Sequence, residues 1–140
     1  MEKVGFLKNS LLVMALVPAI AVAADRVGDF SLLDQNGYHH GMSWYDDHEA
    51  VVFLVQANDS EASEAAVPKF DALKEKFDEA GVEFLMINPM GRYNRQAVQA
   101  KVAEYDVNIP VLMDDARIIS EALGIEHTGE ILVYDPKRFT

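Results

Sequence analysis

From Asp25 onward the sequence predicts an α/β domain. Ala50 to Val55 is a continuous apolar run rich in β-branched residues, as a strand buried on both faces would be, and Val82 to Asn88 reads as a second buried strand. Between them Ala66, Phe70, Leu73, Phe77 and Ala80 recur at steps of four, three, four and three, which makes one apolar stripe on a helix. Strand, helix and strand in that order demand a parallel pairing with a right-handed crossover.

The elements follow in order. Phe30 to Leu33 and Tyr38 to Met42 flank Asp34-Gln35-Asn36-Gly37, and an Asn-Gly pair tolerates the positive φ of a hairpin turn. Ala50 to Val55 is the first buried strand. Asn58 and Ser60 are both good N-caps for the helix that comes next, and Asn58 with Glu61 has capping-box spacing. Lys69, Asp71, Lys74, Glu75, Asp78 and Glu79 lie largely off the apolar stripe, and Gly81 ends the helix. Pro68 falls inside it, so a kink or a separate first turn is expected. The strand at Val82 to Asn88 is closed by Pro89 and Gly91. A second helix begins near Asn94, with Val98, Val102 and Tyr105 on one face. Ile109 to Met113 is a short strand, and Asp114-Asp115 offers a cap for a short helix from Ile118 to Leu123 that Gly124 ends. Glu130 to Tyr134 is the last strand, stopped by Asp135-Pro136.

The 140 residues suit one domain, and no repeat or linker divides them after Asp25. Half are apolar, enough for a packed core. Acidic residues outnumber basic ones by 23 to 12, a net charge of −11 that repels phosphate backbones and anionic lipids. A nucleic-acid partner is therefore not expected. There is no cysteine, which excludes disulfides, thiolate metal sites and thiol chemistry within the chain.

Residues 1–24 read as a signal peptide. Lys3 and Lys8 precede an uncharged run from Leu11 to Ala24, which ends in Ala21-Val22-Ala23-Ala24. Fourteen apolar residues fall short of the ~20 that span a bilayer, and Pro18 would disturb such a helix. Cleavage near Ala23 or Ala24 is expected, with no stable membrane anchor afterwards and a periplasmic or secreted location. The mature domain is then residues 25–140.

Outside this frame, His39, His40, Met42 and His48 are the densest metal-capable set, and imidazole with thioether suits copper. Strand alternation sends His39 and His40 to opposite faces, leaving His40, Met42 and His48 as candidates. Solvated hairpin residues are the simpler explanation, so no metal or other cofactor is expected. Asp46-Asp47 reads as a solvated loop, and no calcium loop is present. Arg92 and Arg95 flank the start of the second helix, where an anion would be received, though isolated surface charges explain them as well.

The ordered phrases carry a family resemblance. They are Phe30-Ser31-Leu32-Leu33-Asp34-Gln35-Asn36-Gly37, Ala50 to Val55, Val67-Pro68-Lys69-Phe70 with Leu73, and Gly81-Val82-Glu83-Phe84-Leu85. The densest runs from Val102-Ala103-Glu104-Tyr105 through Ile109-Pro110-Val111-Leu112-Met113-Asp114 to Ala122-Leu123-Gly124-Ile125. The series resembles the redoxin branch of the thioredoxin-like superfamily, which includes the alkyl hydroperoxide reductase/thiol-specific antioxidant proteins. The resemblance implies a thioredoxin-like fold, a central mixed sheet flanked by helices and preceded by an N-terminal hairpin. It also implies a reactive cysteine about eight residues before Pro68, where Ser60 stands, and Ser63 holds the second position of a Cys-x-x-Cys. Gly129 occupies the place of the superfamily's frequent cis-proline. The thiol site is degenerate at Ser60, Ser63 and Gly129, so no catalytic residue is carried over. Ser60 and Ser63 could instead bind a ligand, but capping explains them more simply.

Redoxins usually add a further strand and a closing helix after the strand matched by Glu130 to Tyr134, and these C-terminal elements are expected to be missing here. Either the sequence is truncated at its C-terminal end, or that strand leaves one edge open to a protein partner or to self-association. Two functions remain: a binding or assembly module in a redoxin fold without its own redox site, or an oxidoreductase that uses a bound metal or a ligand thiol.

Overall fold

Six strands and three helices make up the fold in the computed structural model, which describes residues 25–90 and 95–140. Residues 1–24, Arg92 and the expected helix start at Asn94 lie outside the described residues. The elements are β1 (Ser31–Leu33), β2 (His39–Gly41), β3 (Ala50–Val55), α1 (Glu61–Phe77), β4 (Val82–Asn88), α2 (Arg95–Tyr105), β5 (Val111–Met113), α3 (Ile118–Ala122) and β6 (Ile131–Tyr134).

The apolar run of β3 explains its place, for it is the one strand paired along both edges by long ladders. It runs parallel to β4 from Ala50↔Val82 to Val55↔Ile87, and antiparallel to β6 from Val51↔Tyr134 to Leu54↔Ile131. The sheet order is β5-β4-β3-β6, with β5 parallel to β4, while β1 and β2 form a separate hairpin. Strand alternation then builds two cores. Val51, Phe53, Val55, Leu85, Ile87, Leu112 and Tyr134 face Phe30 and Met42. Leu54, Phe84, Met86, Val111 and Met113 face Val67 and Phe70 of α1 and Val98 of α2. Edge-to-face packing of Phe70 on Phe84, with centroids 5.1 Å apart, fixes α1 against the sheet.

Pro68 does not split α1, which is continuous through it. The missing N–H costs one intrahelical bond, and the ring lies on the exposed side, where solvent can serve the freed carbonyl. The last turn tightens to a 3-10 turn at Asp78–Ala80 before Gly81 adopts φ +70°. β2 stops at Gly41, and Met42–Tyr45 form a 3-10 turn that drops Met42 into the core. No described helix is long and apolar enough to cross a membrane.

Candidate functional site at the start of α1

Ser60 is the N-cap of α1, with extended backbone (φ −106°) and its Oγ accepting the Ser63 N–H at 3.3 Å. The same Oγ lies 2.7 Å from Thr128 Oγ1, so a hydroxyl pair ties the helix start to the loop before β6. Ser63 is fully buried, and its Oγ accepts the Ala57 N–H at 3.0 Å. Thr128 leads into Gly129, whose N–H donates to the Val55 carbonyl at 2.8 Å. Gly129 has φ +85°, and a Cβ there would stand 3.0 Å from Ala62 Cβ. Ser60, Ser63 and Gly129 therefore converge on one end of the sheet.

Asn58 does not cap the helix. Its Oδ1 accepts from Gln56 Nε2 at 3.0 Å, Gln56 Oε1 accepts from Asn88 Nδ2 at 2.7 Å, and Asn88 Oδ1 accepts the Met90 N–H at 2.8 Å. This amide chain ties the ends of β3 and β4 beneath a cavity of about 330 Å3 lined by Asn58, Asp59, Ser60, Asn88 and Val98. The cavity offers amides, a hydroxyl and one carboxylate, and no imidazole lines it. Such a site can hydrogen-bond a ligand. It has no thiolate to oxidise, and among the described residues no imidazole stands beside Ser60 to activate its hydroxyl.

The histidines are held apart. His39 is exposed and packs on Trp44, with ring centroids 4.7 Å apart. His40 Nε2 lies 2.9 Å from Asp34 Oδ2 and its Nδ1 lies 2.9 Å from Tyr45 Oη. His48 Nδ1 meets Asp47 at 2.7 Å and its Nε2 meets Glu83 at 3.6 Å. With Met42 buried in the core, His40, Met42 and His48 do not present free donors to one point. Among the described residues no group of three or more His, Asp or Glu side chains is placed to hold a metal.

Sequence reasoning missed the Asp34–His40–Tyr45 chain, because its members look like unrelated turn residues. Burial, with Glu83 and Asp34 nearby, pushes the Tyr45 phenol up to about 12. Burial also raises the Glu83 carboxyl, against the lowering influence of His48, Lys74 and His40. Asp114 does serve α3, accepting both the N–H and the hydroxyl of Ser120 at 2.6 Å, although the N-cap position itself falls to Arg117. Arg95 sits beside Gly37 of the hairpin turn, where an added Cβ would stand 3.2 Å from its Nη1.

The mixed sheet, the capped helix and the loop before β6 define a thioredoxin-like domain, and the chain carries no cysteine. The chain belongs to the AhpC/TSA family, whose model matches residues 23–139. A search of curated proteins finds no match. Among solved structures, a hypothetical protein from Sinorhizobium meliloti 1021 superposes with a TM-score of 0.71 at 21% identity, over 81% of this chain and 64% of that one. This chain thus spans less than two thirds of that protein's length. A secreted Mycobacterium tuberculosis disulfide oxidoreductase homologous to E. coli DsbE gives 0.68 at 17% identity, over 83% of this chain and 82% of its own. Peroxidoxin BcpB from M. tuberculosis gives 0.62 at 25% identity, over 81% and 79%.

Proposed function

We propose that this chain is a secreted redoxin-fold protein with no thiol cycle of its own, serving as a binding or assembly module. The commitment of the two site hydroxyls to the fold is the observation that carries this reading. Ser63 Oγ satisfies the Ala57 N–H, and Ser60 Oγ satisfies the Ser63 N–H and Thr128. A serine hydroxyl cannot cycle between reduced and oxidised forms as a thiolate does. Fold alone does not restore an activity whose reacting atom is gone. The charged and apolar pattern of residues 1–24 supports export. The secreted character of the similar M. tuberculosis protein agrees with it. The partner is expected along β6, which among the described strands pairs only with β3.

Purified protein should neither reduce insulin disulfides nor consume peroxide with thioredoxin or glutathione as donor. Turnover above buffer that survives a chelator and a metal-free preparation would overturn the reading. Turnover lost to the chelator would favour the metal-dependent oxidoreductase instead. Thiol–disulfide activity created by Ser60→Cys with Ser63→Cys would confirm the positional match to the thiol site.

A further inference from the structure

We infer that the cavity at the start of α1 takes a neutral carboxamide, with Asn58 donating to its carbonyl and Asp59 accepting from its N–H. This deepens the binding-module reading, on which it rests, by naming the chemistry of a ligand for the cavity. The same group occurs in a free small amide and in the glutamine side chain of a peptide.

The direction of the amide chain beneath the cavity carries the argument. The Met90 backbone N–H can only donate, so the Asn88 atom it meets at 2.8 Å is Oδ1. Asn88 Nδ2 then faces Gln56 at 2.7 Å, which answers with Oε1, and Gln56 Nε2 faces Asn58 Oδ1 at 3.0 Å. With one end fixed, every amide in the chain points the same way. Asn58 is the last member, and its Nδ2 has no acceptor among the described residues. An amide whose oxygen accepts a bond gives its own N–H more strongly, so polarisation accumulates toward Asn58. Asn88 adds a further donor. It is only 2% exposed, lines the same cavity, and spends one of its two N–H groups on Gln56.

Charge and size select the occupant. The N–H groups of Asn58 call for an acceptor and turn away a cation. An anion answers them but meets the Asp59 carboxylate, which lines the cavity, and a net charge of −11. The positive end of α1 does not reverse this, because Glu61 and Glu64 in its first turn already face it. Ser60 Oγ is engaged by the Ser63 N–H and Thr128, which leaves exposed Asp59 as the acceptor. A carbonyl that carries its own N–H meets Asn58 and Asp59 at once. The volume of about 330 Å3 lies at the small end for ligand sites and suits a group of side-chain size. Buried Val98 and the adaptable thioether of Met90 offer an apolar wall for the carbon stem.

The probes are N-acetylglutamine N-methylamide, its glutamate counterpart at neutral pH, and propionamide. Each is titrated into isotope-labelled protein and followed by NMR on the side-chain amide signals of Asn58 and Asn88. The glutamine compound should shift both signals saturably and bind at least about tenfold tighter than the glutamate one. Propionamide binding as tightly assigns the free amide, and tighter binding of the glutamine compound assigns a peptide; either result supports the carboxamide. Asn58→Asp keeps an oxygen for Gln56 Nε2 but removes the unpaired N–H groups, and should cost at least about tenfold in affinity for the glutamine compound. Asp59→Asn, at an exposed residue, should narrow the preference for glutamine over glutamate and keeps the test open should Asn58→Asp not fold. Absence of a saturable shift, equal affinity for the glutamine and glutamate compounds, or indifference to both substitutions would overturn the inference. The turnover assays are read separately, so inertness can stand while carboxamide binding fails, and the reverse.

Discussion

The two edges of the main sheet are finished in opposite ways. At β5 the hairpin turn folds over the outer side of the strand. Asp34 bridges to Leu112, Gln35 N–H donates to the Val111 carbonyl at 3.0 Å, and Gln35 Oε1 accepts the Val111 N–H at 2.8 Å. Gln99 of α2 then holds the Gln35 carbonyl at 2.9 Å. At β6 no described strand or side chain serves the outward groups of Ile131 and Val133 in this way, and their side chains stand in solvent. One edge is shut by the backbone and the Gln35 side chain of a turn. The other has no such cover among the described residues.

Equivalent truncations at the two edges should break this symmetry most strongly. Leu112 is fully buried against Phe53 and Ile87, and Leu112→Ala should cost about 2–5 kcal/mol in urea unfolding. Val133→Ala removes only exposed surface and should stay within about 0.5 kcal/mol. Similar losses at both positions would mean that β6 is covered in solution.

Gln35→Ala should have the next largest effect. It orphans the Val111 N–H while leaving the apolar core intact, for an expected loss of about 1–3 kcal/mol. Amide hydrogen exchange reads the same contrast without a mutation. Val111 should be protected in the native protein and exposed to exchange by Gln35→Ala, whereas Ile131 and Val133 should exchange quickly from the start. Slow exchange at Ile131 and Val133 would show the open edge to be occupied.

How much of this was legible follows from what leaves a local pattern. The apolar runs of β3 and β4, the stripe of α1 and the Asn-Gly turn are periodic or positional signals, and each became the expected element. The α/β class followed from them, and the thioredoxin-like fold from the family resemblance of the ordered phrases. The 3-10 turn at Met42–Tyr45 did not: Gly41 stands just before it, but a single turn of four residues is too short to show a helical period. Gln35 reads as one more polar turn residue, since its partner Val111 is 76 positions away. At the site, capping by Ser60 is a local rule and was visible, but Thr128 as its partner 68 positions on was not. The Gln56–Asn58–Asn88 chain was hidden for the same reason: a side-chain amide carries no sign of which distant amide it meets.

The smallest effect concerns two tyrosines that anchor opposite regions. Tyr45 bonds to His40 of the hairpin beside the shut edge, and Tyr134, on β6, donates to the Gly28 carbonyl at 2.8 Å. Burial pushes both phenols up to about 12, with Glu83 and Asp34 adding to it at Tyr45 and Asp29 and Asp135 at Tyr134. An acid whose pKa is raised by folding holds its proton more tightly in the native state. The stability it contributes is therefore complete below the unfolded value of about 10 and is lost as pH rises toward about 12. Ultraviolet titration of tyrosinate should show Tyr45 and Tyr134 ionising late, their rise coinciding with unfolding. Tyr134→Phe should remove one late step, leave the Tyr45 step in place, and cost about 0.5–1.5 kcal/mol at neutral pH through the lost bond to Gly28. A single late step already present in the unsubstituted protein, unchanged by Tyr134→Phe, would mean that the chain around Gly28 and Tyr134 is not closed at the open edge.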